Sequence, residues 1–212
     1  LLYGENKSET IYKENNCNFK LDVKTTYFSP RLVFERRRIA TSLIKNNEVI
    51  VDMFAGVGPF SIQIARNNLV KIYSFDVNPH AYQFLKENIK MNKLKGKIIP
   101  YNINVRDLSN SADKIGRLLQ NKSDRIIMNL PEKSIEFVDI ACFLMKQTGG
   151  ILHFYQFSDK PNAVENTLEC VNKKLNELNW EVEKILNSKI VKTFSPKTEL
   201  VGVDLSIKYL NS

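Results

Sequence analysis

The chain has 212 residues, 31 of them Lys or Arg and 23 Asp or Glu, a formal charge of +8 with neutral histidines and a pI near 9.3. With 43% hydrophobic and 10% aromatic residues it can bury a sizeable core, which excludes a largely disordered chain, and the length suits one domain with a small annex. No apolar run approaches the ~18 residues of a membrane span, and the N-terminus lacks the pattern of a secretory signal. The chain reads as soluble, monomeric and cytoplasmic, without membrane association, mitochondrial residence being open for a eukaryotic source. Cys17, Cys142 and Cys170 are widely spaced, with no CxxC and no nearby His pair, so neither a metal site nor a disulfide framework is expected. The basic excess fits an acidic partner, nucleic acid among others. The first residue is Leu1 rather than Met, which suggests that something upstream has been removed.

Residues 1–28 read as a small β-rich annex, with short strands expected over 10–13, 18–22 and 25–28. Residues 29–212 read as one further domain. From residue 48 onward, β-rich apolar runs alternate with helical patterns, the mark of a βαβ succession and a mostly parallel sheet. Strands are expected over 48–54, 71–77, 97–101, 124–129 and 150–157, and helices over 59–67, 79–91 and 132–146. Pro79 stands where a helix start is expected, and the Gly149-Gly150 pair where one ends. The last third departs from this alternation, with a helix over 162–178 and strands over 180–192 and 200–209. The connection between those strands is the short turn Ser195-Pro196-Lys197, so they pair antiparallel. An α/β fold with a mostly parallel sheet and a C-terminal antiparallel hairpin is similar to the Rossmann-like class I methyltransferases that use S-adenosyl-L-methionine.

The sharpest local signal runs from Val51 to Phe60 (VDMFAGVGPF), a strand entering a glycine turn that opens a helix. Gly56 and Gly58 let backbone approach a ligand with no Cβ in the way. A dinucleotide fingerprint requires a third glycine where this chain has Ser61. Asp52 at the strand end suits an S-adenosyl-L-methionine site, where an acid organises the methionine ammonium through the loop or water. Asp76 closes the next strand, and an acid there accepts both ribose hydroxyls of either cofactor. Asn104 follows the third strand, where its amide is placed to meet an adenine edge.

Asn129-Leu130-Pro131 closes the fourth strand, where open α/β sheets present residues to substrate. Enzymes methylating exocyclic amines usually read Asn-Pro-Pro followed by a stacking aromatic; the aromatic is absent here, which favours a different nitrogen chemistry. Four ordered motifs, Tyr27-Phe28-Ser29-Pro30-Arg31 with Glu35-Arg36, the 52–60 run, Asp76-Val77-Asn78-Pro79-His80-Ala81 and Met128-Asn129-Leu130-Pro131, together resemble the archaeal and eukaryotic tRNA (guanine-N1)-methyltransferases that modify the base 3′ of the anticodon. The late segment Ile190 to Pro196 is similar to that family's C-terminal strand. In the sister enzymes that transfer an aminocarboxypropyl group the Asn-Leu-Pro motif is replaced, so its presence favours methyl transfer.

The resemblance implies S-adenosyl-L-methionine as cofactor, tRNA as partner and Glu35 as general base, since guanine N1 must lose its proton before it attacks. Partial burial that raises the Glu35 pKa would help; as a plain helix residue Glu35 would instead pair with Arg31 or Arg38. Asn129 and Pro131 would shape the base pocket. The cofactor set expected is Tyr27, Phe28, Asp52, Phe54, Gly56, Gly58, Pro59, Phe60, Asp76, Val77, Asn104 and Asn129. Arg31 and Arg36 are expected to contact RNA, and Arg37, Arg38, Lys184, Lys189, Lys192 and Lys197 are further candidates for phosphate. The family's additional N-terminal domain and its upstream arginine, which stabilises guanine O6, are not matched by a segment here. Two other readings stand beside this one: methylation of a tricyclic wyosine precursor at the same tRNA position, and an RNA-binding module with a degenerate cofactor site.

Overall fold

The computed structural model describes residues 7–210. Its first unit is a hairpin, β1 (Glu9–Glu14) and β2 (Cys17–Asp22), turned by Asn15 and Asn16, both at positive φ, the conformation Asn tolerates best after Gly. The strand expected over 25–28 does not form. Asp22 closes a turn instead, its carbonyl accepting from Thr25 and Thr26 N–H and its side chain from Lys24 N–H. The annex is joined to the larger unit by apolar packing, because Cys17 and Phe19 lie in one cluster with Ile39, Ile50, Phe60 and Ile72. Burial of Phe19 alone is worth about 1.5–3 kcal/mol. The open side of β2 is finished by side chains. Asn88 bonds both N–H and C=O of Lys20 at 2.7 and 2.9 Å, and Asn92 does the same for Asn18 at 2.9 and 2.8 Å. The two amides stand four apart on a helix, one face, and meet backbone groups two apart on a strand, also one face.

The helix α1 (Val33–Ala40) leads into a seven-stranded sheet. In chain order its elements are β3 (Val49–Asp52), α2 (Pro59–Asn67), β4 (Lys71–Phe75), α3 (Pro79–Met91), β5 (Lys97–Tyr101), α4 (Lys114–Leu119), β6 (Arg125–Met128), α5 (Val138–Leu144), β7 (Gly150–Asp159), α6 (Ala163–Glu177), β8 (Trp180–Thr193) and β9 (Thr198–Tyr209). The strand order is β5-β4-β3-β6-β7-β9-β8, parallel as far as β7 and antiparallel from β7 to β9 and β8. The C-terminal hairpin is therefore as its short turn requires. Pro79 and the Asn78 cap, whose side chain accepts from His80 N–H at 2.9 Å, start α3 as expected.

Two further elements differ from the sequence reading. The helix expected over 132–146 begins as a 3₁₀ turn, Ser134–Phe137, before α5. Ser134 Oγ bonds the carbonyls of Met128 and Leu130 at 3.2 and 3.0 Å, tethering the segment to the end of β6 and delaying regular helix. The helix α4 was not foreseen, although Asp113 before it carries the cap signal and accepts from Gly116 N–H at 2.5 Å.

Chain order runs outward from β3 through β4 to β5, then returns to β6 on the other side. The crevice at such a switch point, beyond the carboxyl ends of the strands, is where open α/β sheets bind ligands. The loops after β3, β4 and β6 meet there.

Candidate active site

A cavity of ≈ 340 Å³ opens at this switch point. Its walls bring together the segments singled out in the sequence: Tyr27 and Phe28, Phe54 and Gly56 with Pro59, Asp76, and Asn129 with Pro131. Gly56 has φ +55 and nothing nearer than 3.9 Å to the position of a Cβ, so this loop faces open space. Asp76 fixes the loop by accepting from Gly56 N–H at 2.7 Å through one oxygen and from Asn78 N–H at 2.8 Å through the other. Each carboxylate oxygen keeps acceptor capacity for a hydroxyl. Across the cavity, the Asn129 side-chain oxygen is buried and meets no donor among the described residues. A buried acceptor without a partner costs about 1–3 kcal/mol, and a ligand donor removes that cost.

Several expected residues lie elsewhere. Val77 is exposed, and Gly58, at φ +91, is packed under Leu85 and Ile62, so its role is to let α2 start. Phe60 is buried against Tyr155, with ring centroids 5.8 Å apart. Asn104 spends its side-chain oxygen on Arg106 N–H at 3.0 Å, capping a 3₁₀ turn. Asp52 lies beneath the loop and not on the cavity wall, accepting from Ser61 Oγ at 2.6 Å, while Ser61 also meets Ser74 Oγ at 2.8 Å. The residue standing in place of a third fingerprint glycine thus ties β3 to α2 and β4.

Burial pushes the Asp52 carboxyl up to about 6, against the Ser61 bond that lowers it, with Asp76 adding to the rise. A folded pKa above the unfolded value of about 3.9 means that the folded state holds the proton more tightly. Stability is therefore lost as pH rises from about 4 to about 6. Asp52→Asn removes this ionisation, so its urea midpoint relative to wild type should rise between pH 4 and pH 7, by roughly 2–3 kcal/mol in unfolding free energy. A constant difference across that range would refute the assignment.

The RNA-contact and base expectations are corrected in part. Arg31 is exposed, whereas Arg36 is 1% exposed and locked to Glu14 by bonds of 2.5 and 2.6 Å. Arg36 cannot reach phosphate; its guanidinium instead holds Ser29 O and lies over the Phe28 ring, 4.9 Å from its centroid, as part of the cavity wall. Glu35 is buried and is not among the residues that line the cavity. It pairs with Arg38 at 2.8 Å and with Lys189, and accepts from Tyr155 Oη at 3.2 Å. Burial pushes its carboxyl up, but Arg38 and Lys189 outweigh burial and hold it below the usual carboxylate range. The rise expected from burial alone is thereby overturned.

The cavity also takes Phe157 and Leu200, which the sequence did not nominate, together with Arg36 and Lys192, which were expected at phosphate, and Asn78 and Phe194, which stood in the motifs without a role. Phe157 and Phe194 pack with ring centroids 4.3 Å apart, supplying aromatic surface beside Pro131 that the Asn-Leu-Pro run lacks. Their signal was confined to the 190–196 segment, because nothing local says that the β8–β9 hairpin closes over the strand ends. A second, more open groove, ≈ 520 Å³ and lined by Leu168, Val182 and Ile185 among others, holds none of these motif residues. Among the described residues no group of His, Cys, Asp or Glu is placed to hold a metal ion, and no helix is long and apolar enough to cross a membrane.

The family profile described as TRM5/TYW2 methyltransferase domain matches residues 10–186. The chain belongs to the TRM5/TYW2 methyltransferase family. Among its TRM5/TYW2 relatives, tRNA (guanine(37)-N(1))-methyltransferase Trm5b of Methanocaldococcus jannaschii is 41% identical over 97% of this chain and 54% of its own length. The chain spans little more than half of that relative. The tRNA 4-demethylwyosine(37)-methyltransferase Taw21 of Saccharolobus solfataricus is 38% identical over 73% of the chain and 55% of its own length. Among solved TRM5/TYW2 structures, M. jannaschii TYW2 in complex with AdoMet superposes with a TM-score of 0.85 at 32% identity, over 99% of this chain and 90% of that one.

Proposed function

We propose that the chain is the catalytic part of a tRNA methyltransferase that moves a methyl group from S-adenosyl-L-methionine to N1 of guanine at position 37, the position in the name of its Trm5b relative. The observation that carries the reading is that one cavity is lined by the Gly56 loop, Asp76 and Asn129, the last with a buried side-chain oxygen that has no partner among the described residues. S-adenosyl-L-methionine supplies an electrophilic methyl on a sulfonium when bound. The residues fit it: Asp76 is placed for a ribose diol, Phe28 and Ala81 offer apolar wall, and the Gly56 loop leaves room for backbone contact.

Asn129 and Pro131 orient the purine, with the Asn129 oxygen accepting from a guanine N–H and the Phe157–Phe194 pair offering a stacking face. Glu35 receives the N1 proton. Lys192, a cation on the cavity wall, stabilises charge developing on guanine O6. Exposed Arg31 and Arg37 and the hairpin lysines contact phosphate.

The reading predicts label transfer from methyl-labelled S-adenosyl-L-methionine to a tRNA transcript with G at position 37, and none to the same transcript with A there. Transfer independent of that guanine would refute it. A second reading, methylation of a tricyclic precursor, is favoured by the Taw21 relative; mass spectrometry of the product nucleoside separates the two.

A further inference from the structure

Two lysines reach the face of Glu35 because the edge strand is bulged. In β7 and β9, His153, Tyr155 and Phe157 stand opposite Asp204, Gly202 and Leu200, and residues directly opposite share a face. On its other side β9 pairs Gly202 with Lys189 and Leu200 with Lys192, with a register shift between Ile190 and Lys192. In an unbroken strand, residues three apart point to opposite faces. The extra residue, Val191, brings Lys189 and Lys192 onto the same face as Tyr155 and Phe157. Gly202 leaves the space for this crossing, since a Cβ there would stand 2.9 Å from the Tyr155 ring. Lys192 thereby lines the cavity while Lys189 Nζ pairs with Glu35 Oε1.

Glu35 is met from every element packed on it. Arg38 comes from its own helix, Tyr155 from β7 and Lys189 from β8, while Asp204 of β9 acts through Arg38, to which it is paired. The string continues inward. His153 Nδ1 lies 2.6 Å from Asp204, and its Nε2 lies 2.8 Å from Arg125, which pairs with Glu48 at 3.0 Å. A guanidinium only donates, so His153 Nε2 accepts and Nδ1 carries the proton toward Asp204, leaving a neutral imidazole. Burial, together with Arg125 and Arg38, holds that imidazole below its ordinary value despite Asp204.

The charges in this string balance: Glu48, Asp204 and Glu35 against Arg125, Arg38 and Lys189. The side chains of Glu35, Asp204, His153 and Arg125 are buried, whereas Lys189 keeps 40% of its side chain in solvent. Lys189 is the member free to leave. Without it the string holds one excess negative charge, which a single proton on Glu35 cancels. Lysine and proton are thus alternative partners for Oε1.

We propose that Lys189 is a positioning residue acting through Glu35: it holds the carboxylate as an ion pair in the free protein and yields it when a phosphate of the RNA draws the lysine away. The inference rests on the guanine-N1 reading above. With Oε1 released, the guanine N1–H bond breaks and its proton passes to Glu35. The N1 electron pair forms the new bond to the methyl carbon, and the carbon–sulfur electrons remain on sulfur. Glu35 then gives its proton to water as Lys189 returns.

The test is a ¹³C-carboxyl NMR titration of Glu35, its resonance assigned by loss in Glu35→Gln. Lys189→Gln should raise the Glu35 pKa by about 1–3 pH units, the effect of losing one close opposite charge, and Lys189→Arg should restore it. Adding an RNA hairpin with guanine 3′ of its anticodon should move the wild-type resonance in the same direction. The acid limb of kcat/KM against pH should move up with it in Lys189→Gln, a loss of about tenfold for each pH unit moved. An unmoved Glu35 in a Lys189→Gln protein with a wild-type melting curve overturns the inference, whatever the activity. So does a hairpin that binds without moving the resonance. The titration shift without methyl transfer supports the lysine's role and counts against the activity alone.

Discussion

Glu35→Gln should slow methyl transfer to guanine-bearing tRNA by about 10²- to 10⁴-fold, the contribution of a positioned general base, while S-adenosyl-L-methionine affinity stays near wild type. The amide keeps the shape and one acceptor, so Tyr155 and Arg38 retain a partner, but it cannot receive the N1 proton. The carboxylate's low proton affinity in the free protein does not oppose this role. It ensures that Glu35 is ionised at neutral pH, and the loss of one cation then raises its proton affinity where the proton is to be taken. Single-turnover rates with labelled cofactor, set beside calorimetric affinity, check the prediction. A wild-type rate would mean that Glu35 only braces α1 against β7 and β8, and that another group removes the proton.

Glu14→Gln should remove about 3–5 kcal/mol of stability, as expected when one partner of a buried ion pair is deleted. Glu14 ends β1 and receives Arg36 through both carboxylate oxygens, and Gln63 donates to it at 2.6 Å. Arg36 in turn holds Ser29 O at 3.1 Å. Loss of the carboxylate leaves a 1%-exposed guanidinium without its counter-charge, against a total stability on the order of 5–15 kcal/mol. Ser29 and Phe28 line the cavity, so cofactor affinity should fall together with the urea midpoint. A Glu14→Gln/Arg36→Met pair should recover stability, because no uncompensated charge remains, without recovering affinity. A loss below about 1 kcal/mol in the single variant would show that the pair contributes little.

The strands and most helices were legible because their signals are local. Alternation and apolar runs mark the strands, Pro79 and Asn78 mark the start of α3, and the short Ser195-Pro196-Lys197 turn requires an antiparallel pair. Gly56, Asp76 and Asn129 were legible for the same reason, since each follows a recognisable strand. Asp52 and Asn104 stand at or after a strand end, but neither lines the cavity: Ser61 Oγ meets one Asp52 oxygen and Arg106 N–H the Asn104 oxygen. Arg36 was expected at RNA because a run of three arginines reads as a solvated basic face. On α1, Arg37 faces solvent while Arg36 turns inward to Glu14.

The sequence by itself determined the class of fold, the switch-point loops and the acids and amide that stand at them, because strand period, turn chemistry and connection length act over a few residues. Only the tertiary structure decided the protonation and reach of the site. Glu35 is held low by Arg38 and by Lys189, the latter 154 residues away along the chain and reaching it only because a bulge at Val191 turns it onto that face. Arg36 is removed from solvent by an acid of the annex. Electrostatic partnership depends on distance through space, and the register of one edge strand sets that distance.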